Sequence, residues 1–201
     1  MIEPGAVHAG RYDGDDVEAV AAALKEAASR AEVDATPLVL SVAAATGGVA
    51  RRLDTRLKSR ESILEKLGRF RGRRTPQFRL ERFNDALRYT IVYPDLIYWR
   101  AVRASQTALD DHGCEVRTVL DRWGSDNYRG INMTVRDPAG FDFEIQLHTE
   151  VSLAAAEQTH PSYEEERKHH PRSARAQELR TSQSEVWELV PVPPGAPEVH
   201  S

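Results

Sequence analysis

The 201-residue chain is long enough for one domain of ordinary size with a helical extension, and two full domains would be cramped in it. Its formal net charge of -4, from 27 basic and 31 acidic side chains, excludes a generic polycation that coats DNA or an anionic membrane. One cysteine, Cys114, rules out an internal disulfide and a cysteine-based zinc site.

No run approaches the roughly 18–20 apolar residues of a bilayer-crossing helix. Met1-Ile2-Glu3-Pro4-Gly5 lacks the basic start and apolar core of a secretory signal. The expected place of action is therefore a reducing cytoplasm, reached directly or by delivery through a dedicated machine.

In chain order, residues 1–14 read as a flexible arm. Asp15 and Asp16 open a helical stretch in which Val17, Val20, Ala21, Leu24 and Ala28 share one apolar face. A second helix is expected from Pro37 to Ala45, with Thr36 as its N-cap and Gly47-Gly48 as its stop. Alternation from Val49 to Lys58 predicts one strand, with Arg52, Asp54, Arg56 and Lys58 on a single face. Ser59 caps a helix from Arg60 to about Arg69, ended by Gly72 and Pro76.

Ala86 to Val92 is apolar and β-branched enough for a buried strand, and Pro94 opens an amphipathic helix that stops at Gly113. Strands follow at Cys114 to Leu120, Tyr128 to Val135 and Phe141 to Leu147, the last two joined through Asp137-Pro138-Ala139-Gly140. Residues 150 to about 189 are expected to be helical with a break at Pro171, and residues 190–201 to form a Pro-rich disordered tail. The domain proper is then 15–189, an α+β fold with a mixed sheet of about five strands flanked by helices and with helical extensions at both ends.

The net charge conceals a lopsided layout. Between Arg51 and Arg82 stand twelve basic and four acidic residues, +8 against -12 for the rest of the chain. Within that block Arg56 and Lys58 share a strand face, and the strand runs into a helix with free N-terminal N–H groups. Ser62 and Lys66, four apart, stack on one face of that helix. Cations, a hydroxyl and a helix terminus converging on one spot suit a polyphosphate.

Asp85 stands just before the buried strand, with Arg88 inside it. On the Phe141 to Leu147 strand, Asp142, Glu144, Gln146 and His148 form a polar row opposite an apolar one. A polar row lines a cleft or faces water. If it lines a cleft, Glu144 and Asp85 supply the two carboxylates of a magnesium nucleotide site.

The series Arg56-x-Lys58-x-x-x-Ser62-x-x-x-Lys66, then Asp85, then Tyr128-Arg129-Gly130-Ile131-Asn132, then Glu144-Ile145-Gln146-Leu147-His148-Thr149 resembles the successive motifs of RelA/SpoT-type alarmone synthetase domains. The resemblance covers roughly residues 36–167. It implies a nucleotidyltransferase-like sheet, Mg2+, and transfer of pyrophosphate from ATP to the 3′-hydroxyl of a purine nucleotide, giving a product of the (p)ppApp or (p)ppGpp type.

It also implies roles by position. Arg56 would stack on the ATP adenine, Lys58, Ser62 and Lys66 would hold its phosphates, and Asp85 would bind metal. Glu144 would bind metal or deprotonate the acceptor hydroxyl, Gln146 would support the site, and Tyr128 would stack on the acceptor base.

The chain departs from the family pattern at four places. Thr90 stands where a second adenine-stacking arginine is usual, and Arg88, about 7 Å away on the same strand face, is its expected substitute. Asn132 replaces a histidine, Gly124 a lysine and His148 an arginine, and Asn132, Gln146 and His148 are expected to touch the acceptor. The donor half matches and the acceptor half does not, which points to a branch with a different acceptor.

The phrases 85–90 and 144–149, followed by Thr159 to Arg167, are similar to RelA/SpoT-like toxin domains. In that branch His160, Tyr163 and Arg167 would share a helix face over the acceptor, and a neutralising immunity protein would be a partner. An alternative acceptor is the 3′ end of tRNA, gripped by Arg69, Arg71, Arg73, Arg74 and Arg79. A further alternative is a catalytically silent nucleotide-binding module.

Overall fold

The computed structural model describes residues 17–69 and 83–196. The expected N-terminal arm, the Gly72 and Pro76 helix stop and Arg71, Arg73, Arg74 and Arg79 lie outside the described residues, as do the last residues of the tail. No helix among the described residues is long and apolar enough to cross a membrane.

The first helix, α1 (Val17–Ala45), is continuous where two helices were expected. Pro37 sits inside it. Its ring removes the helical bond to the carbonyl of Val33, a residue that is itself 72% exposed. Thr36 caps nothing; its hydroxyl pairs with the phenol of Tyr89 at 2.8 Å. One face of α1, from Val20 through Leu24, Ala28, Val39 and Val42, is buried in the core, against the Arg60–Arg69 helix as well as the first strand.

The expected strand from Val49 to Lys58 is also altered. β1 spans Val49–Arg51 only, because Arg52 takes a left-handed φ of 57° and starts a 3-10 turn at Leu53–Thr55. Extended pairing resumes at one bridge, Leu57 to Leu87, with Lys58 N–H donating to Ala86 and Arg88 N–H to Arg56. Arg56 and Lys58 therefore still flank one apolar residue and reach the same side. Helix α2 (Arg60–Arg69) begins as expected, with the Ser59 hydroxyl accepting the Ser62 N–H at 3.2 Å.

β2 (Arg88–Val92) leads through a 3-10 turn at Asp95–Ile97 into α3 (Tyr98–Asp111), and β3 (Glu115–Asp121), β4 (Ile131–Arg136) and β5 (Asp142–His148) follow. The five strands lie in the order β1-β2-β5-β4-β3. The pair β2 and β5 is parallel, setting Arg88 beside Glu144 and Thr90 beside Gln146. All other pairs are antiparallel.

Alternation assigns the faces. Tyr89, Ile91, Met133, Phe143, Ile145 and Leu147 are buried in the core, where α1 and α3 cover one side of the sheet. Tyr98 ties α3 to β5 by donating to the Leu147 carbonyl at 2.7 Å. The opposite parity, Arg88, Asn132, Glu144 and Gln146, lines a cleft.

Two helices wall that cleft, α4 (Glu150–Glu166) and α5 (Ala174–Glu188). Helix α4 runs through Pro161 and opens on a reciprocal cap between Thr149 and Ser152. The chain between α4 and α5 breaks around Pro171 as expected. The Pro-rich segment differs from its expected disorder over 190–196. Val190 is buried, its carbonyl accepts from Arg129, and the Pro193 carbonyl accepts the Trp99 indole N–H at 3.0 Å.

Candidate active site

The cleft holds about 1250 Å³ and gathers side chains from every part of the chain that carries a motif. Arg56, Lys58, Ser62, Lys66 and Asp85 line one end. Arg88, Glu144 and Gln146 lie on the sheet floor, Tyr128 and Asn132 at the other end, and His160, Tyr163 and Arg167 on the α4 wall.

Asp85 is the hub of the first end. Its Oδ2 accepts from Lys58 Nζ at 2.7 Å, and its Oδ1 accepts from Lys66 Nζ, which also lies 4.5 Å from the centre of the Phe83 ring. Burial by itself would raise the Asp85 pKa, but the two ammonium groups outweigh it and hold the carboxyl at about 2. Burial also lowers the Lys58 pKa, with Asp85 opposing. Arg56 is held by Glu32 of α1 and by the Leu53 carbonyl, while its Nε is buried with no partner among the described residues.

The Asp85 shift predicts acid sensitivity. Its folded pKa lies below the ordinary value of 3.8, so its contribution is present above about pH 4 and is lost as pH falls toward 2. The magnitude is about 2 kcal/mol for a shift of this size. Thermal unfolding of the wild type and of Asp85→Asn should differ near neutrality and converge near the acid end. A gap that persists unchanged to about pH 2 would refute the linkage.

On the floor, burial pushes the Glu144 pKa up, with Arg88 opposing it and Asp85 adding to it. Gln146 Nε2 donates to Glu144 Oε1 at 2.6 Å. Arg88 has no ion pair among the described residues. It stands at the level of Glu144 rather than beyond it, as the β2 and β5 register dictates. Thr90, where the second arginine of the resemblance would fall, is buried and does not reach the cleft.

At the far end the Tyr128 hydroxyl donates to Asn132 Oδ1 at 2.8 Å and lies 2.9 Å from His148 Nε2. The Tyr128 ring meets His148 edge-on at 5.4 Å and tilts against Trp187 of α5 at 5.5 Å. His148, expected to touch the acceptor, is instead 1% exposed and does not line the cleft. Its ring fits behind Tyr128 because Gly130 carries no side chain. A Cβ there would sit 3.2 Å from His148 Cε1. Burial, with Arg52 and Arg88 adding to it, lowers the His148 pKa to about 3, so the imidazole is neutral.

On the α4 wall His160 and Tyr163 are exposed, and Arg167 lies 5.1 Å from the Tyr163 ring while pairing with Glu164 at 2.6 Å. The cleft brings together thirteen of the fourteen expected site residues, His148 being the exception.

It also contains residues to which the sequence assigned no site role: Arg52, placed only on the face of Arg56 and Lys58, and Arg122, Gln183 and Trp187. Arg52 and Arg122 have no ion pair among the described residues, and both charges are felt at the Tyr128 phenol. The left-handed turn that aims Arg52 inward has no sequence signature at an arginine.

No family model and no curated protein sequence matches the chain. Solved structures define the fold class: it is that of small alarmone synthetases and their relatives. Small alarmone synthetase 1 from Bacillus subtilis superposes with a TM-score of 0.56 at 14% identity, over 87% of this chain and 90% of that one. The type VI effector Tas1, solved in complex with its immunity protein, gives 0.55 at 20% identity, over 82% and 93%. A GTP pyrophosphokinase family protein from Streptococcus pneumoniae gives 0.53 at 15% identity, over 82% and 84%.

Proposed function

We propose that the cleft is the active site of an ATP-dependent 3′-pyrophosphokinase whose acceptor is a purine nucleotide. The observation that carries the reading is the joining, in one cleft of this fold, of a cationic end around Asp85, a half-buried carboxylate at Glu144 and an aromatic end at Tyr128.

Lys58, Ser62 and Lys66 bind the triphosphate, and Arg56 holds the adenine against the mouth of the cleft. The acceptor base lies on Tyr128. Its 3′ oxygen forms a bond to the β-phosphorus of ATP, the bond from that phosphorus to the α,β-bridging oxygen breaks, and AMP leaves. Glu144 takes the hydroxyl proton. Its raised pKa suits it to a general base, and Gln146 fixes its orientation. Arg88 sits beside it to stabilise charge that develops on the transferred group.

The donor set fits magnesium, which takes one or two carboxylates and completes its shell with phosphate and water oxygens. Asp85 and Glu144 influence each other's charge, and no cluster of three or more ligating side chains occurs among the described residues. Asp85 would hold the ion, which when bound neutralises the triphosphate.

The likeness to Tas1 supports an effector role, with the cytoplasm of a recipient cell as the site of action and an immunity protein as partner. Incubation of the protein with labelled ATP and ADP, GDP, GTP or tRNA, with products resolved, tests the reading. AMP and a 3′-pyrophosphorylated free nucleotide are expected. Release of ADP and phosphate, or no AMP with any acceptor, would reject it.

A further inference from the structure

His148 was expected to touch the acceptor, yet it is buried and both its ring nitrogens are engaged. Nδ1 lies 2.8 Å from Ser152 Oγ and Nε2 lies 2.9 Å from the Tyr128 hydroxyl. The Ser152 hydroxyl has one hydrogen and two available acceptors, His148 Nδ1 at 2.8 Å and the Thr149 carbonyl at 3.3 Å, while it accepts the Thr149 N–H at 3.0 Å. The shorter contact takes the hydrogen.

A neutral imidazole that accepts at Nδ1 carries its proton on Nε2 and donates it to the Tyr128 oxygen. Tyr128 in turn donates to Asn132 Oδ1 at 2.8 Å. Every bond in the series points the same way, and it starts at the cap of α4, where Ser152 is already fixed by Thr149. Asn132 spends its oxygen on Tyr128. Its amide N–H groups have no partner among the described residues, and the residue lines the cleft.

We propose that Ser152, His148, Tyr128 and Asn132 form a one-way hydrogen-bonded chain in which His148 is a positioning residue. The chain locks the Tyr128 ring against Trp187 and leaves the Asn132 amide as the donor that reads a lone-pair atom of the acceptor nucleotide. The proposal rests on the pyrophosphokinase reading of the cleft. The donor presented to the cleft is thus an amide that does not titrate, with the imidazole kept behind the tyrosine.

The test measures acceptor KM and ATP KM for His148→Leu, Tyr128→Phe, the double variant, Asn132→Leu and His148→Gln. The amide nitrogen of the last falls near the place of Nε2. Each single removal should raise acceptor KM about three- to tenfold and leave ATP KM unchanged. The double variant should be no worse than its worse single, and His148→Gln should recover most of the loss. Where His148→Leu does not fold, as judged by thermal unfolding, Tyr128→Phe compared with His148→Gln carries the test.

Additive effects in the double variant, or an equal rise in ATP KM, would overturn the chain. Calorimetric binding of ADP and GDP without ATP separates the two levels. Binding that follows the same pattern in a protein that turns over no nucleotide sinks the pyrophosphokinase reading and keeps the chain. Wild-type binding that none of the substitutions alters sinks the chain.

Discussion

Glu144→Gln should lower AMP release from ATP by about three orders of magnitude, within the range a positioned general base contributes. The fold should not suffer. Glu144 is half-buried on the cleft floor, and desolvation raises its pKa, so its charged form is less favoured in the fold than in water. Glutamine keeps the shape and the bond to Gln146 while removing that charge. The melting temperature of Glu144→Gln should therefore equal or exceed that of the wild type, as expected where a site is built for activity at the expense of stability. A variant that retains a tenth of wild-type turnover would exclude Glu144 as the base.

Asp85→Asn should cost a similar factor in activity with the opposite effect on stability. Removing this carboxylate leaves the Lys58 and Lys66 ammonium groups, each side chain 20% exposed, facing one another without a counter-charge. Breaking a partly buried ion pair by deleting one partner costs about 1–3 kcal/mol, short of the larger penalty of a fully buried pair. Tripolyphosphate or ATP should restore much of the lost melting temperature, because their oxygens supply the missing charge. Should Asp85→Asn melt with the wild type and gain nothing more from tripolyphosphate than the wild type does, the two-lysine clamp is not the phosphate cradle.

The cationic end of the cleft was legible in the sequence as a cluster because its elements are local. Arg56, Lys58, Ser62 and Lys66 lie within one turn and one short helix, and the Ser59 cap fixes where that helix starts. Alternation also divided β5 correctly into Phe143, Ile145 and Leu147 on one side and Glu144 and Gln146 on the other. Alternation cannot say which polar row a helix will cover. The docking of α4 and α5 decided that, and neither helix carries a strong pattern of its own.

His148 shows the limit most clearly. It has the parity of Glu144 and Gln146, yet it sits at the strand end under the cap of α4, where Gly130 leaves room for a ring. Only the meeting of three distant segments buries it. Arg52 and Pro37 escape the sequence pattern for a different reason. Left-handed backbone at arginine and proline within a helix are both disfavoured locally, and both are tolerated here by what surrounds them.

Because β2 pairs in parallel with β5, Arg88 and Glu144 become neighbours only after the chain has been made through β4 and back. The Tyr128 end waits longer still, since Trp187 in the last turn of α5 and Val190 just after it close that end. A ribosome-bound or truncated chain that stops short of that point lacks one wall of the cleft. The cleft is therefore complete only once the chain has been made past Val190, and a shorter copy lacks the wall that holds Tyr128 in place.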